Sequence, residues 1–138
     1  MTNKEIEFTI KPKTEDVSFI TQKINEEISE FGPAYPFAFF MRAEDRNIIA
    51  GCNGSVFFGC IYTDQLWVHR EYRKQGLGKQ LMEAVHEHGR KAGCRMATIS
   101  TMSFQNTRKF YEKLGYSMTF EYKGYARGSS CLLMKKDL

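Results

Sequence analysis

Ile6, Phe8 and Ile10 alternate with Glu7, Thr9 and Lys11, a period of two that predicts a strand from Glu5 to Lys11. Val17, Ile20, Ile24, Ile28 and Phe31 then recur at steps of three and four, the signature of an amphipathic helix. Thr14 or Asp16 can cap its start, and Gly32-Pro33 stops it. Pro36 to Arg42 reads as a compact aromatic strand, followed by hairpin-turn chemistry in Glu44-Asp45-Arg46-Asn47. From Asn47 to Tyr62 two apolar runs surround Asn53-Gly54 and Gly59, which fits one bulged strand or two separate ones. Asp64 to Val68 completes a central strand.

A second helical stripe runs through Leu77, Leu81, Ala84, Val85, His88 and Ala92, with Gly93 as its stop. Lys79, Glu83, His86, Glu87, Arg90 and Lys91 form its outer, solvated face, and His88 is expected to be packed and hydrogen-bonded. Arg95 to Thr101 is a strand, and Asn106 to Leu114 a short helix that Gly115 closes with Tyr116 packing back, a Schellman-type end. Ser117 to Tyr122 and Ser130 to Lys135 make a last hairpin around Gly124 and Gly128. The order is therefore β-α-β-β(-β)-α-β-α-β-β. One strand–helix–strand crossover beside several hairpins predicts an α/β (α+β) fold with a mixed, mostly antiparallel sheet flanked by helices. At 138 residues, with no repeat or linker, the chain is expected to be a single domain over residues 1–138.

Composition changes this picture little. A net charge of +4 suits an anionic cofactor and is weak support for nucleic acid. Cys52, Cys60, Cys94 and Cys131 form no CxxC pair and no metal spacing with the histidines, so they are expected to be small buried hydrophobes, with no metal site. The polar start Met-Thr-Asn-Lys-Glu leads to no signal peptide or membrane span, so the expectation is a reduced, cytoplasmic protein.

The informative stretch is Leu66 to Leu81: an apolar strand, a basic glycine turn and the start of a helix. The first N–H groups of a helix lack intrahelical partners and carry partial positive charge, so such a turn is an anion site. Arg70, Arg73, Lys74 and Lys79 add full charges, and a pyrophosphate is the natural occupant. A nucleotide P-loop is excluded because Gln80 follows Gly78-Lys79 where a hydroxyl must reach magnesium, and Arg73 stands where the first glycine belongs. A dinucleotide fingerprint is excluded because Leu81 stands where the third glycine is required. The spacing that fits is Arg-x-x-Gly-x-Gly, filled by Arg73, Gly76 and Gly78 behind Leu66-x-Val68.

That pattern resembles the acetyl-CoA-binding motif of the GNAT family of N-acetyltransferases. Phe110-Tyr111-Glu112-Lys113-Leu114-Gly115-Tyr116 is similar to the FYxKxGF segment found after the fifth strand of that family. The resemblance covers the chain from about Phe37 onward and implies a GNAT fold with acetyl-CoA as co-substrate. It implies that the main chain of Leu66, Trp67 and Val68 faces the pantetheine arm, with the N–H of Leu66 or Trp67 as oxyanion donor. Arg73, Lys74, Gln75, Gly76, Leu77, Gly78 and Lys79 would wrap the pyrophosphate. Tyr111 would donate a proton to the departing thiolate, a role that suits a hydroxyl protonated at neutral pH. The family often has an asparagine seven residues before that tyrosine. Here Phe104 holds the place, and Asn106 either serves instead or caps the helix.

Family members often use a strand glutamate as base, and Tyr62 stands there in this chain. Asp64, two residues on and on the same strand face by simple alternation, is the acid of that strand, so the alternatives are Asp64 and ordered waters. The implied reaction is direct attack of a primary amine, on a small molecule or a peptide, in a ternary complex. A non-catalytic acyl-CoA-binding or regulatory domain on the same fold is the rival reading. The basic turn lacks the interleaved aromatics of a nucleic-acid site, and no membrane partner is implied. The acceptor wall is expected from Phe31, Tyr35, Phe37, Phe39, Tyr122, Tyr125 and Arg127, with a homodimer through the last strands compatible with the fold.

Overall fold

A computed structural model describes residues 4–138. They form two compact units, residues 4–33 and Ala34–Leu138. In the first unit, residues 4–13 form no strand, against the expectation for Glu5 to Lys11. Alternation specifies a strand only where a ladder pairs with it, and among the described residues none does. Helix α1, Thr14–Glu27, starts after Lys13 without a side-chain cap; Glu15 and Asp16 complement the dipole of its first turn instead.

The second unit is a six-stranded sheet of β1 (Tyr35–Arg42), β2 (Ile48–Phe57), β3 (Cys60–Val68), β4 (Met96–Met102), β5 (Ser117–Lys123) and β6 (Ser130–Asp137). Its order is β1-β2-β3-β4-β6-β5. Every neighbouring pair is antiparallel except β3–β4, which helix α2 (Leu77–Lys91) joins as a crossover; a second connection, from β4 to β5, passes over β6. The run from Asn47 to Tyr62 resolves into two strands, and there is also a bulge. Asn53 faces Gln65 and Gly54 faces Thr63, so Asp64 is an extra residue on β3 that opposes nothing.

The core lies between this sheet and α2 with the short helix α3 (Arg108–Lys113), and includes Ala50, Ile61, Met82, Val85, Ile99 and Met134. The buried side of α2 is Leu81, Met82, Val85, His86 and Gly89, a stripe rotated from the sequence expectation. His86, assigned to the solvated face, is 5% exposed and bonds through Nε2 to the Tyr116 hydroxyl at 2.7 Å. Tyr116 comes from beyond α3 to cover that flank, a contact no local periodicity could reveal. His88 is packed as expected, with Nε2 3.2 Å from the Tyr35 hydroxyl and its ring among Phe37 and Phe39. These three β1 residues therefore belong to the α2 face of the sheet and form no acceptor wall. Cys52, Cys60 and Cys94 are buried and unpaired, and burial raises the Cys52 thiol to about 11.

Candidate active site

The parallel pairing of β3 with β4 ends early. Cys60 to Thr63 match Met96 to Ile99, and beyond that rung β3 continues against β2 while β4 continues against β6. The strands part and leave a gap within the sheet. The bulge at Asp64 lies where the separation begins and adds local twist.

One hydrogen bond sets which groups face the gap. His69 N–H donates to the Ile49 carbonyl at 2.7 Å. In an antiparallel ladder alternate residues exchange bonds with the partner, so His69, Trp67 and Gln65 turn their main chain to β2. Leu66 and Val68 turn theirs away from β2, into the gap. The Val68 carbonyl is met there by Arg73 Nε at 2.9 Å. Of the two candidate oxyanion donors, Leu66 thus has its N–H in the gap, whereas Trp67 spends its own in the ladder opposite Gly51. Only the side chain of Trp67, 48% exposed, reaches the cleft.

The gap widens into a cleft of about 460 Å³. Cys52, Leu66, Thr101, Thr107 and Tyr111 line it on the side of α2 and α3, and Phe40, Asn53, Gln65, Trp67 and Ser100 on the opposite face. The cleft therefore runs through the sheet, and two reactants can meet in it from opposite sides. Asp64 is exposed at its wall, with no ion-pair partner among the described residues. Tyr62 lies on the outer face, opposite Ser55, its hydroxyl 2.9 Å from Ser100 Oγ across the parting strands.

The glycine turn closes one end. A short 3₁₀ turn, Arg70–Tyr72, follows β3, with Glu71 N–H bonded to His69 Nδ1 at 3.1 Å. Gly76 caps α2 at φ +80°, a left-handed conformation that costs a side chain about 1–2 kcal/mol. The first intrahelical bond is Gln80 N–H to the Gly76 carbonyl at 3.0 Å, so the N–H groups of Leu77, Gly78 and Lys79 have no acceptor within the helix. Arg70, Arg73, Lys74 and Lys79 are exposed around them. Gly78 has a second reason to be glycine: a Cβ there would lie 3.3 Å from the Phe110 ring. The two sequence motifs touch at this point and build a single site.

Helix α3 ends in a Schellman motif, with Tyr116 N–H bonded to the Tyr111 carbonyl and Gly115 N–H to that of Glu112, both at 3.0 Å. This geometry brings the two tyrosine rings edge to face at 5.6 Å and fixes Tyr111, 7% exposed, at the cleft wall. Burial pushes its hydroxyl up to about 12, with the neighbouring Cys52 adding to the shift. Asn106, at φ +56°, neither caps α3, whose cap is Thr107, nor lines the cleft. It borders an adjoining hollow with Arg108 and Lys109, and its neighbours Gln105 and Thr107 line the cleft instead. Thr101 Oγ1 holds that turn, 2.6 Å from Thr107 Oγ1 and 3.1 Å from Gln105 Oε1. Sequence reasoning also missed Phe40, Asn53, Gln65 and Ser100; their outer-face parity was the available signal.

A sequence profile of the acetyltransferase (GNAT) family matches residues 4–116. The chain belongs to the GNAT acetyltransferase family. It is an acetyltransferase on a mixed α/β fold. A blasticidin-S acetyltransferase from Streptomyces morookaense is 28% identical over 112 residues, 80% of this chain and 82% of that protein. The crystal structure of an acetyltransferase from Bacillus cereus aligns with a TM-score of 0.75 at 25% identity, covering 96% of this chain and 98% of that one. An aminoglycoside 6'-N-acetyltransferase in complex with coenzyme A aligns with a TM-score of 0.65 at 17% identity, covering 81% and 78%. Among the described residues no cluster of three or more His, Cys, Asp or Glu could hold a metal, and no helix is long and apolar enough to cross a membrane.

Proposed function

We propose that this acetyltransferase moves an acetyl group from acetyl-CoA to a primary amine by direct attack in a ternary complex. The observation that carries the reading is the opening of β3 from β4 directly into the basic start of α2. The main-chain groups of Leu66 and the Val68 N–H, turned away from the β2 ladder, suit the amides of a pantetheine arm, and the N–H groups of Leu77, Gly78 and Lys79 suit a pyrophosphate. Arg73, Lys74 and Gln75 complete the rim of that turn. Arg73 does so with its Nε already committed to β3, so it also braces the turn.

Each residue then has a distinct part. The Leu66 N–H points where the thioester carbonyl would lie and stabilises the charge that develops on its oxygen, an effect typically worth a hundred- to a thousandfold in rate. Asp64 receives the incoming ammonium and its proton, directly or through water. Tyr111 presents its hydroxyl to the leaving sulfur. With the hydroxyl held near 12 and an ordinary thiol near 8.5, complete proton transfer would run about 5 kcal/mol uphill, so Tyr111 acts as a hydrogen-bond donor. Residues 1–138 are proposed to work as one acetyltransferase domain, a reading supported by the family match beginning at residue 4. Free cysteines and the acetyl-CoA requirement favour the cytoplasm.

Titration calorimetry with acetyl-CoA, followed by an assay of thiol release with primary amines, tests the proposal. Asp64→Asn is expected to bind acetyl-CoA like the wild type while turning over roughly ten- to a hundredfold more slowly. A folded wild-type protein that binds no acetyl-CoA at millimolar concentration would refute it.

A further inference from the structure

On the outer face of the sheet, at the mouth of the cleft, Asn53 and Gln65 stand on one rung of the β2–β3 ladder. Asn53 Nδ2 donates to Gln65 Oε1 at 2.8 Å. Neither side chain has another hydrogen-bond partner among the described residues. The pair therefore leaves the Asn53 carbonyl oxygen and the Gln65 NH2 group unengaged, an acceptor and a donor on adjacent strands. Exchanging oxygen and nitrogen in both amides leaves the same outcome, one donor beside one acceptor. The next rung on that face is Phe40–Gly51–Trp67, and the Phe40 ring lies over Gly51, 2.9 Å from where a Cβ would be. Aromatic surface from Phe40 and Trp67 thus borders the amide pair, and Asp64 follows it immediately along β3.

Building on the acetyltransferase reading, we infer that the Asn53–Gln65 pair determines acceptor specificity by binding amines that carry a planar, uncharged amide-like group. A carboxamide, ureide or lactam presents an N–H and a C=O on one edge, the complement of what the pair leaves free. Its flat face suits the flanking rings. The pair itself bears no charge, so it gives a second ammonium no ion pair, and Asp64 remains for the reacting one. Two hydrogen bonds at a half-open site correspond to a preference of about tenfold.

The test compares para-(aminomethyl)benzamide with benzylamine, which lacks only the carboxamide. Binding is followed by ligand-observed NMR with and without coenzyme A, in the wild type and in Gln65→Glu. The variant still accepts from Asn53 but has no N–H to give. The wild type is expected to bind the benzamide about tenfold more tightly, and Gln65→Glu to bind the two amines within twofold. Equal affinities in the wild type, no binding of either amine, or a preference that survives in Gln65→Glu would each overturn the inference. Acetyl-CoA titrations on the same samples separate the two ideas. Loss of acetyl-CoA binding fails the acetyltransferase reading, whereas normal acetyl-CoA binding without the amine preference fails this inference alone.

Discussion

Replacing Tyr111 by Phe removes one oxygen from the cleft wall and little else. The ring keeps its edge-to-face contacts with Tyr116 at 5.6 Å and Phe110 at 5.0 Å, so the fold is expected to survive. No protein group bonds the hydroxyl among the described residues, so none is left unsatisfied by its loss. In the proposed mechanism, what disappears is a neutral donor to a sulfur that gains negative charge. A hydrogen bond to a charged group contributes about 1.5–3 kcal/mol, which sets the expected fall in kcat at roughly ten- to a hundredfold. Burial sets the pH behaviour. With its hydroxyl near 12, Tyr111 stays protonated through the working range. Wild type and variant should then show parallel kcat profiles up to about pH 10. Stopped-flow release of thiol, measured across that range at saturating acetyl-CoA, provides both numbers. A loss below about threefold would show that the hydroxyl does not touch the leaving group. A falling limb near pH 8–9 in the wild type that Tyr111→Phe abolishes would show a titrating acid and refute the neutral-donor argument.

The parity of β3 makes two neighbouring prolines behave differently. Leu66→Pro deletes an N–H that faces the gap, so turnover should fall on the order of a hundredfold with a modest change in melting temperature. Trp67→Pro deletes a ladder donor in a central strand and should lower the melting temperature by on the order of ten degrees. Equal melting of the two variants would contradict the assignment. His86, buried against Tyr116, has its pKa lowered to about 4, chiefly by burial and further by Lys136 and Arg90. The unfolded chain takes up a proton near pH 6.5 and the native one only near 4, so stability should fall as pH drops through that window. The full cost is about 3 kcal/mol. Urea unfolding of wild type and His86→Gln checks this, since the variant should lose less on acidification.

What could be read along the chain was what neighbouring residues decide among themselves. The glycine turn and the Schellman end of α3 are closed by bonds spanning a few residues, and both stand where the spacing placed them. Features that depend on a partner were not readable. Glu5 to Lys11 alternates like a strand yet has no ladder to join, and His86 sits on a helix face that a residue thirty positions away covers. The extra residue at Asp64 likewise depends on how β3 pairs with β2, which alternation along one strand does not show.

By itself the sequence determined the class: a mixed α/β fold, a basic anion-binding turn, and two motifs that together resemble one acetyltransferase family. Those features follow from local backbone chemistry, which adjacent residues carry. The tertiary structure alone decided that Gly78 and Phe110 make the two motifs one site, and that Leu66 rather than Trp67 turns its N–H to the gap. It also decided that the cleft passes through the sheet to Phe40, Asn53 and Gln65. Each of these depends on where one strand ends its pairing with another, and a hydrogen-bond ladder is settled between segments distant in sequence.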